Sequence, residues 1–251
     1  PSHVREIIEN HPVEILIQPS KIRIFPDEDY VREGAKVEED FSACSLVFAI
    51  KEIPLHFFKK GTAYMFFSHT IKGQPHNMPM LQKMIDLGCT LIDYEKIVNE
   101  KGQRLLFFGK QAGQAGMVDT LWALGQRLNH EKRQNPFSSI KQAYQYASLV
   151  EAKEKIEKVG WQIHNKGLDS SLVPLVFGFT GYGHVSQGAQ EIFNLLPFEE
   201  IEPPKIVPFF REKNYSASRV YKTVFKEEHM VKAVNPAAKF ELQDYYDHPE
   251  K

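Results

Sequence analysis

At 251 residues the chain has room for one large α/β domain or two smaller ones, and its 25% charged and 42% hydrophobic content excludes a disordered or fibrous protein. Its 31 Lys and Arg nearly cancel 32 acidic residues, for a net charge of −1, which removes the footprint of a general nucleic-acid binder. No apolar run reaches the roughly 18–20 residues that span a bilayer, so an integral membrane chain is excluded as well.

The first half alternates β-rich runs with helical patterns. Val13 to Gln18 reads as a strand ended by Pro19, and Ser45 to Ile50 as a strand buried on both faces. Ala63 to Phe67, Thr90 to Asp93 and Arg104 to Phe108 give three more strands. Between the third and fourth strands, Met80, Leu81, Met84, Ile85 and Leu87 recur at helical spacing, with Gly88 as a stop. Strand, helix, strand at this length implies right-handed crossovers and a largely parallel sheet. Cys44 and Cys89 sit inside apolar strand-like runs, which argues against a disulfide framework or a cysteine zinc site. A soluble chain in a reducing intracellular compartment is expected.

A helix pattern runs from Gly113 to Leu128, and the small residues Gln111-Ala-Gly-Gln-Ala-Gly116 let it lie close against a neighbouring backbone. The polar stretch Asn129 to Pro136 marks the domain boundary, giving expected domains 1–129 and 130–251. Helices are expected near 138–147 and 148–159, then a strand at Leu175–Thr180, a helix at Val185–Leu196 and a strand at Phe198–Ile201. With two or three strands this sheet is incomplete, and the start at Pro1 and the polar tail suggest a chain truncated at both ends.

The most specific local signal is Phe179-Thr-Gly-Tyr-Gly-His-Val-Ser186. An apolar strand meets Gly181 and Gly183, and an amphipathic helix follows at once. That is the context of a dinucleotide-binding turn. Thr180, Gly181, Gly183, His184, Val185 and Ser186 are placed to meet a pyrophosphate at a helix start. Ser186 stands where the third glycine of that fingerprint would be. An ordinary tight turn with no ligand is the alternative. Glu202 follows the next strand, where an acid commonly accepts from the ribose 2′-hydroxyl; a solvated loop glutamate is equally consistent. Lys51, His69 and Glu95 each directly follow a predicted parallel strand. Their strand ends share one sheet edge, where open α/β folds bind ligands. A lysine and a histidine there can move protons. No metal-ligand spacing, nucleophile elbow or Walker loop is present.

Taken together, Ile17-Gln-Pro-Ser20, Ile50-Lys51, Phe66-Phe-Ser-His-Thr70, Leu91-Ile-Asp-Tyr-Glu95, Phe108-Gly-Lys-Gln-Ala-Gly113, Ala115-Gly-Met-Val-Asp119, Phe179-Thr-Gly-Tyr-Gly183, Val185-Ser-Gln-Gly-Ala-Gln190, Glu202-Pro203 and Asp244-Tyr-Tyr-Asp-His-Pro249 resemble the lysine-ketoglutarate reductase half of the alpha-aminoadipic semialdehyde synthases. The wider group includes alanine dehydrogenase, the transhydrogenase nucleotide subunit and the saccharopine dehydrogenases. The resemblance implies two Rossmann-like domains with an interdomain cleft. It also implies NADPH-dependent condensation of lysine with 2-oxoglutarate to saccharopine, with Glu202 leaving NADH open. Alternatives are an alanine-dehydrogenase-like amino-acid oxidoreductase and a nucleotide-binding module without chemistry. The resemblance assigns proton and substrate roles to Lys51 and His69, a substrate-amine contact to Glu95 and a substrate contact to Arg104. By the residues alone, Arg104 begins a strand, which would put it on the wrong edge. A following saccharopine dehydrogenase half, a homo-oligomer, and a mitochondrial-matrix or cytoplasmic location are implied too. Members begin with an arginine-bearing strand that this chain lacks, and they carry Asn where His184 stands.

Overall fold

The computed structural model describes residues 1–235 and 237–251, and it divides into two compact units, Pro1–Phe107 and Phe108–Lys251. This division differs from the expected boundary after residue 129. The small-residue helix groups with the second unit because its main packing partner, the helix after the glycine turn, lies there.

The first unit opens with α1 (Ser2–Asn10), followed by the short strands β1 (Leu16–Ile17) and β2 (Lys36–Val37), which pair in parallel around α2 (Asp27–Arg32). Then come β3 (Leu46–Phe48), β4 (Ala63–Phe66), α3 (Met78–Asp86) and β5 (Thr90–Asp93). These strands form a parallel sheet in the order β3–β4–β5. Tyr64 and Phe66 of β4 pack with Met80 and Met84 of α3 and with Phe58. The 3.6-residue spacing of the methionines puts them on one helix face over the sheet.

Two expectations fail here. β3 is an edge strand rather than one buried on both faces, and Leu46 and Phe48 are exposed while only Val47 reaches the core. Residues 104–108 form no strand. Arg104 makes a single antiparallel bridge with Val98, closed by a turn in which the Gly102 N–H donates to the Asn99 carbonyl at 2.9 Å. Local turn hydrogen bonds override the apolar run because that segment has no parallel neighbour to pair with.

The second unit begins with α4 (Gly109–His130). Residues 138–147, expected as helix, instead contain parts of two short 3₁₀ turns, Pro136–Ser139 and Ala143–Gln145. α5 (Leu149–Lys166) starts where the Ser148 side chain accepts from the Glu151 N–H, and it ends at Gly167 with φ +75°. The rest runs β6 (Val176–Thr180), α6 (His184–Phe193), β7 (Phe198–Glu200), α7 (Ile206–Glu212), β8 (Val220–Phe225), α8 (Glu227–Met230) and α9 (Leu242–Asp247).

The sheet is parallel in the order β6–β8–β7, so β8, a strand the sequence did not reveal, is its middle strand. Lys222 breaks its apolar pattern yet is 4% exposed. Its Nζ lies 2.8 Å from Glu200 Oε2 and 4.5 Å from the centre of the Phe198 ring, so its charge is answered inside the sheet. α4 and α6 approach backbone to backbone. A Cβ at Gly113 would stand 1.9 Å from the Val185 carbonyl oxygen, and one at Gly188 2.0 Å from that of Lys110. Val118, Leu121, Ile156, Ile163, Ile192 and Phe193 are fully buried in the core below.

Candidate functional site

In the first unit the parallel register sets three side chains on one sheet edge. Lys51, His69 and Glu95 follow β3, β4 and β5 by three, three and two residues, at the C-terminal ends. Neighbouring strands lie about 4.8 Å apart, so the three positions span roughly 10 Å. The Phe67 N–H donates to the Ile50 carbonyl at 3.1 Å, which carries the pairing up to Lys51. Lys51 itself is exposed and makes no ion pair among the described residues.

His69 is held more firmly. Its backbone has φ +50°, the left-handed region that a non-glycine residue enters at a cost, and such strain collects where surroundings impose it. Nδ1 donates to Glu52 Oε1 at 2.6 Å. Buried Asn77 holds both partners: its amide donates to Glu52 Oε1 at 3.0 Å, to the Ser68 carbonyl at 3.2 Å and to the His69 carbonyl at 3.3 Å. Burial pushes the Glu52 carboxyl up, but hydrogen bonds from its own N–H, from His69 and from Asn77 outweigh that and leave its pKa below the usual value. The carboxylate thus stays charged and fixes the imidazole through Nδ1, so that Nε2 is the ring nitrogen that could meet a ligand. Glu52 and Asn77 are the residues that sequence reading missed. Glu52 adjoins Lys51, but Asn77 is 25 residues further on, and nothing short of the fold brings them together.

Below them Ser68 donates to Asp93 and shares a 2.7 Å hydrogen bond with Thr70, and the Glu95 N–H donates to Asp93 Oδ1 at 2.8 Å. This network ties the ends of β4 and β5 together. The Glu95 side chain is 13% exposed. Its Oε1 lies 3.3 Å from Arg104 Nη1, and its buried Oε2 has no hydrogen-bond partner. Arg104 also lies 5.9 Å over the Phe67 ring. The wrong-edge objection to Arg104 disappears because a turn, not a strand, returns it to Glu95. A carboxylate oxygen buried without a donor calls for one, and a guanidinium bound through a single Nη keeps donors for a carboxylate.

In the second unit the glycine turn has the geometry its sequence implies. Gly181 has φ +84°, a conformation that disfavours any side chain, and its N–H donates to the Phe225 carbonyl at 2.8 Å. Gly183 precedes the first residue of α6, His184, with no side-chain cap, and an added Cβ there would meet nothing within 4 Å. Open space over an uncapped ten-residue helix fits a phosphate-bearing group, with Thr180, Gly181, Gly183, His184 and Val185 around it. The Ser186 hydroxyl accepts from Gln190 Nε2 at 3.0 Å within α6. Close packing in this fold is made by Gly113 and Gly188 between helices. Glu202, placed by sequence beside the ribose, lies past β7, 70% exposed, with Oε2 2.7 Å from Lys205 Nζ.

Glu191 of α6 ties the neighbouring helices. Lys110 Nζ lies 2.7 Å from its Oε2, and Lys153 Nζ and Gln114 Nε2 donate to Oε1 at 2.6 and 3.0 Å. Together they draw its pKa down to about 2, with Lys110 the largest cause. Among the described residues no three His, Cys, Asp or Glu side chains form a metal-holding group, and no helix is long and apolar enough to cross a membrane. Both cysteines are free.

Residues 1–115 match the family described as Alanine dehydrogenase/PNT, N-terminal domain. The chain is 43% identical over 245 residues to alpha-aminoadipic semialdehyde synthase of Arabidopsis thaliana, across 94% of this chain and 23% of that protein. It is 35% identical over 252 residues to the mitochondrial alpha-aminoadipic semialdehyde synthase of Rattus norvegicus, across 100% of this chain and 27% of that protein. The chain therefore spans about a quarter of the length of these relatives. A saccharopine dehydrogenase (NAD(+), L-lysine-forming) of Yarrowia lipolytica is 28% identical over 187 residues, 71% of this chain and 48% of that protein. Among solved structures an L-alanine dehydrogenase matches with a TM-score of 0.54 and 17% identity, over 90% of this chain and 55% of that one, which supports an α/β Rossmann-like fold.

Proposed function

We propose that this chain, which resembles alpha-aminoadipic semialdehyde synthase over nearly its whole length, carries the substrate and nucleotide sites of an oxidoreductase that condenses L-lysine with 2-oxoglutarate and reduces the product to saccharopine. The observation that carries the reading is the sheet edge of the first unit, where Lys51, His69 and Glu95 follow three adjacent parallel strands and Arg104 returns to Glu95. The unpartnered Glu95 Oε2 suits a substrate ammonium, and the remaining Arg104 donors suit a substrate carboxylate. Attack of the lysine ε-amine on the ketone forms a C–N bond, and loss of water then leaves an imine. Both changes need a proton moved to or from a substrate oxygen or nitrogen. His69, steadied through Nδ1 by Glu52, exchanges that proton at Nε2, and the Lys51 amine shuttles protons beside it. The glycine turn, through Gly181, Gly183 and the start of α6, would hold the pyrophosphate of a nicotinamide nucleotide, which supplies the hydride when bound. The resemblance favours NADPH. It also implies a following saccharopine dehydrogenase half, and the names of the mammalian relatives favour a mitochondrial location.

The test supplies NADPH, lysine and 2-oxoglutarate to the chain, alone and within the full polypeptide that carries it, and looks for saccharopine by mass spectrometry. Lys51→Met and His69→Gln should each lose about 10²–10⁴-fold in kcat with unchanged melting. Nucleotide oxidation with pyruvate and ammonium instead would favour an alanine-dehydrogenase-like activity. Nucleotide binding without turnover in either form would leave a binding module.

A further inference from the structure

Asn77 directly precedes α3 and occupies its cap position, where asparagine is among the residues that cap best. Its side chain nevertheless makes no capping hydrogen bond to the helix. It is 6% exposed, and its amide turns the other way, toward the end of β4. There one nitrogen with two hydrogens meets three acceptors: Glu52 Oε1 at 3.0 Å, the Ser68 carbonyl at 3.2 Å and the His69 carbonyl at 3.3 Å.

Consecutive carbonyls of an extended strand point to opposite sides, so a single amide reaches two of them only where the chain turns. His69 is the residue between those two carbonyls, and its φ of +50° makes the turn. A non-glycine residue holds that conformation where its surroundings impose it, and the forked amide of Asn77 is such a constraint. The third contact reaches the imidazole, because Glu52 Oε1 is also the oxygen that accepts from His69 Nδ1 at 2.6 Å. Backbone and ring of His69 are therefore gripped from one side chain, directly at the carbonyl and through Glu52 at Nδ1.

We propose that Asn77 is a positioning residue for the reaction: its amide, on the Ser68 and His69 carbonyls and on Glu52 Oε1, fixes which nitrogen of the His69 ring carries the proton and where Nε2 points. It acts through Glu52 and the backbone, not on substrate. This rests on the proton role proposed for His69 and uses contacts within the first unit alone.

The test reads the ring directly. Two-bond proton–nitrogen NMR spectra of the chain, labelled in its histidine nitrogens and held at a pH where the ring is neutral, report the His69 tautomer, and His69→Gln identifies its signals. The unmodified chain should carry the proton on Nδ1, held by the Glu52 carboxylate. Asn77→Leu keeps the branched shape without a donor and should move the signals toward the Nε2–H form that free histidine prefers. Asn77→Ser keeps one donor and should fall between. In the full polypeptide Asn77→Leu should lose roughly tenfold to 10²-fold in kcat with KM within about twofold, and Asn77→Ser should recover part of the loss. Should Asn77→Leu melt early, Asn77→Ser carries both measurements. An unchanged tautomer in a folded variant, or a shifted tautomer with unchanged kcat, overturns the assignment. If the unmodified full polypeptide makes no saccharopine, the reaction proposed for the site falls instead, and the tautomer alone decides whether Asn77 holds His69.

Discussion

Replacing Gly113 with Ala tests the closest contact in the second unit. The added Cβ would sit 1.9 Å from the Val185 carbonyl oxygen and 2.8 Å from the Ala189 nitrogen, both backbone atoms of α6. Reaching ordinary contact at 3.4 Å requires the two helices to separate by about 1.5 Å. Flexible side chains cannot absorb that shift, so the cost belongs at or above the upper end of the usual overpacking range of about 1–3 kcal/mol. Alanine returns about 1 kcal/mol of helix propensity, leaving a net loss near 2–3 kcal/mol, or a fall in Tm of roughly 5–10 °C. Gly116, one turn along the same helix, is the control. An added Cβ there meets nothing within 4 Å, so Gly116→Ala should gain about 1 kcal/mol. Gly188→Ala should resemble Gly113→Ala, because its Cβ would stand 2.0 Å from the Lys110 carbonyl oxygen across the same interface. The double variant should lose less than the two singles together, since helices already parted accommodate the second methyl. Thermal and urea melts decide. Gly113→Ala as stable as the unmodified chain would mean that α4 and α6 do not approach this closely.

Glu52→Gln should lower kcat by up to about 10²-fold with little change in KM or melting, because it removes the charge that orients His69 and not a substrate contact; Glu52→Asp should restore part of it. Glu191 has its pKa lowered to about 2 from 4.5, so its contribution is complete above pH 4.5 and is lost as pH falls toward 2. Urea melts across that window should show stability dropping with pH, and Glu191→Gln should flatten the drop. Gly183→Val points its side chain into open space, so folding should survive, while nucleotide affinity falls at least about tenfold as the methyls block close approach. Unchanged affinity in a folded variant would remove the glycine turn from the site.

The elements that could be read in advance are those whose signal is local. β4, β5, α3, β6 and α6 each combine an apolar period with a glycine or cap at the end, and each forms within a few residues of its expected bounds. The glycine turn was legible for the same reason, because strand, left-handed glycine and helix start are consecutive. β8 was hidden because Lys222 interrupts its apolar run. That lysine is tolerated because Glu200, from a strand more than 20 residues earlier, lies 2.8 Å away and the Phe198 ring, Gln190 and Asn194 also face its ammonium. The expected strand at 104–108 erred in the opposite sense. Its apolar run is real, but it pairs only through the antiparallel bridge of Arg104 with Val98 and not with a parallel strand, and the hydrogen bonds of the Asn99–Gln103 turn decide its path instead.

The same division separates the two kinds of site residue. The placement of Lys51, His69 and Glu95 at one sheet edge was legible because a strand end is a position in sequence as well as in space. Glu52 and Asn77 were not, because their role is to hold another side chain, and that role exists only after the loop before α3 folds back across the end of β4. Glu202 shows the limit of spacing along the chain, because strand order in the chain is not strand order in the sheet. It follows β7, the next strand in the chain, whereas the hydrogen-bonded neighbour of the glycine strand β6 is β8. Spacing along the chain can therefore suggest a ribose contact, but the order of strands about the glycine turn is visible only in the fold.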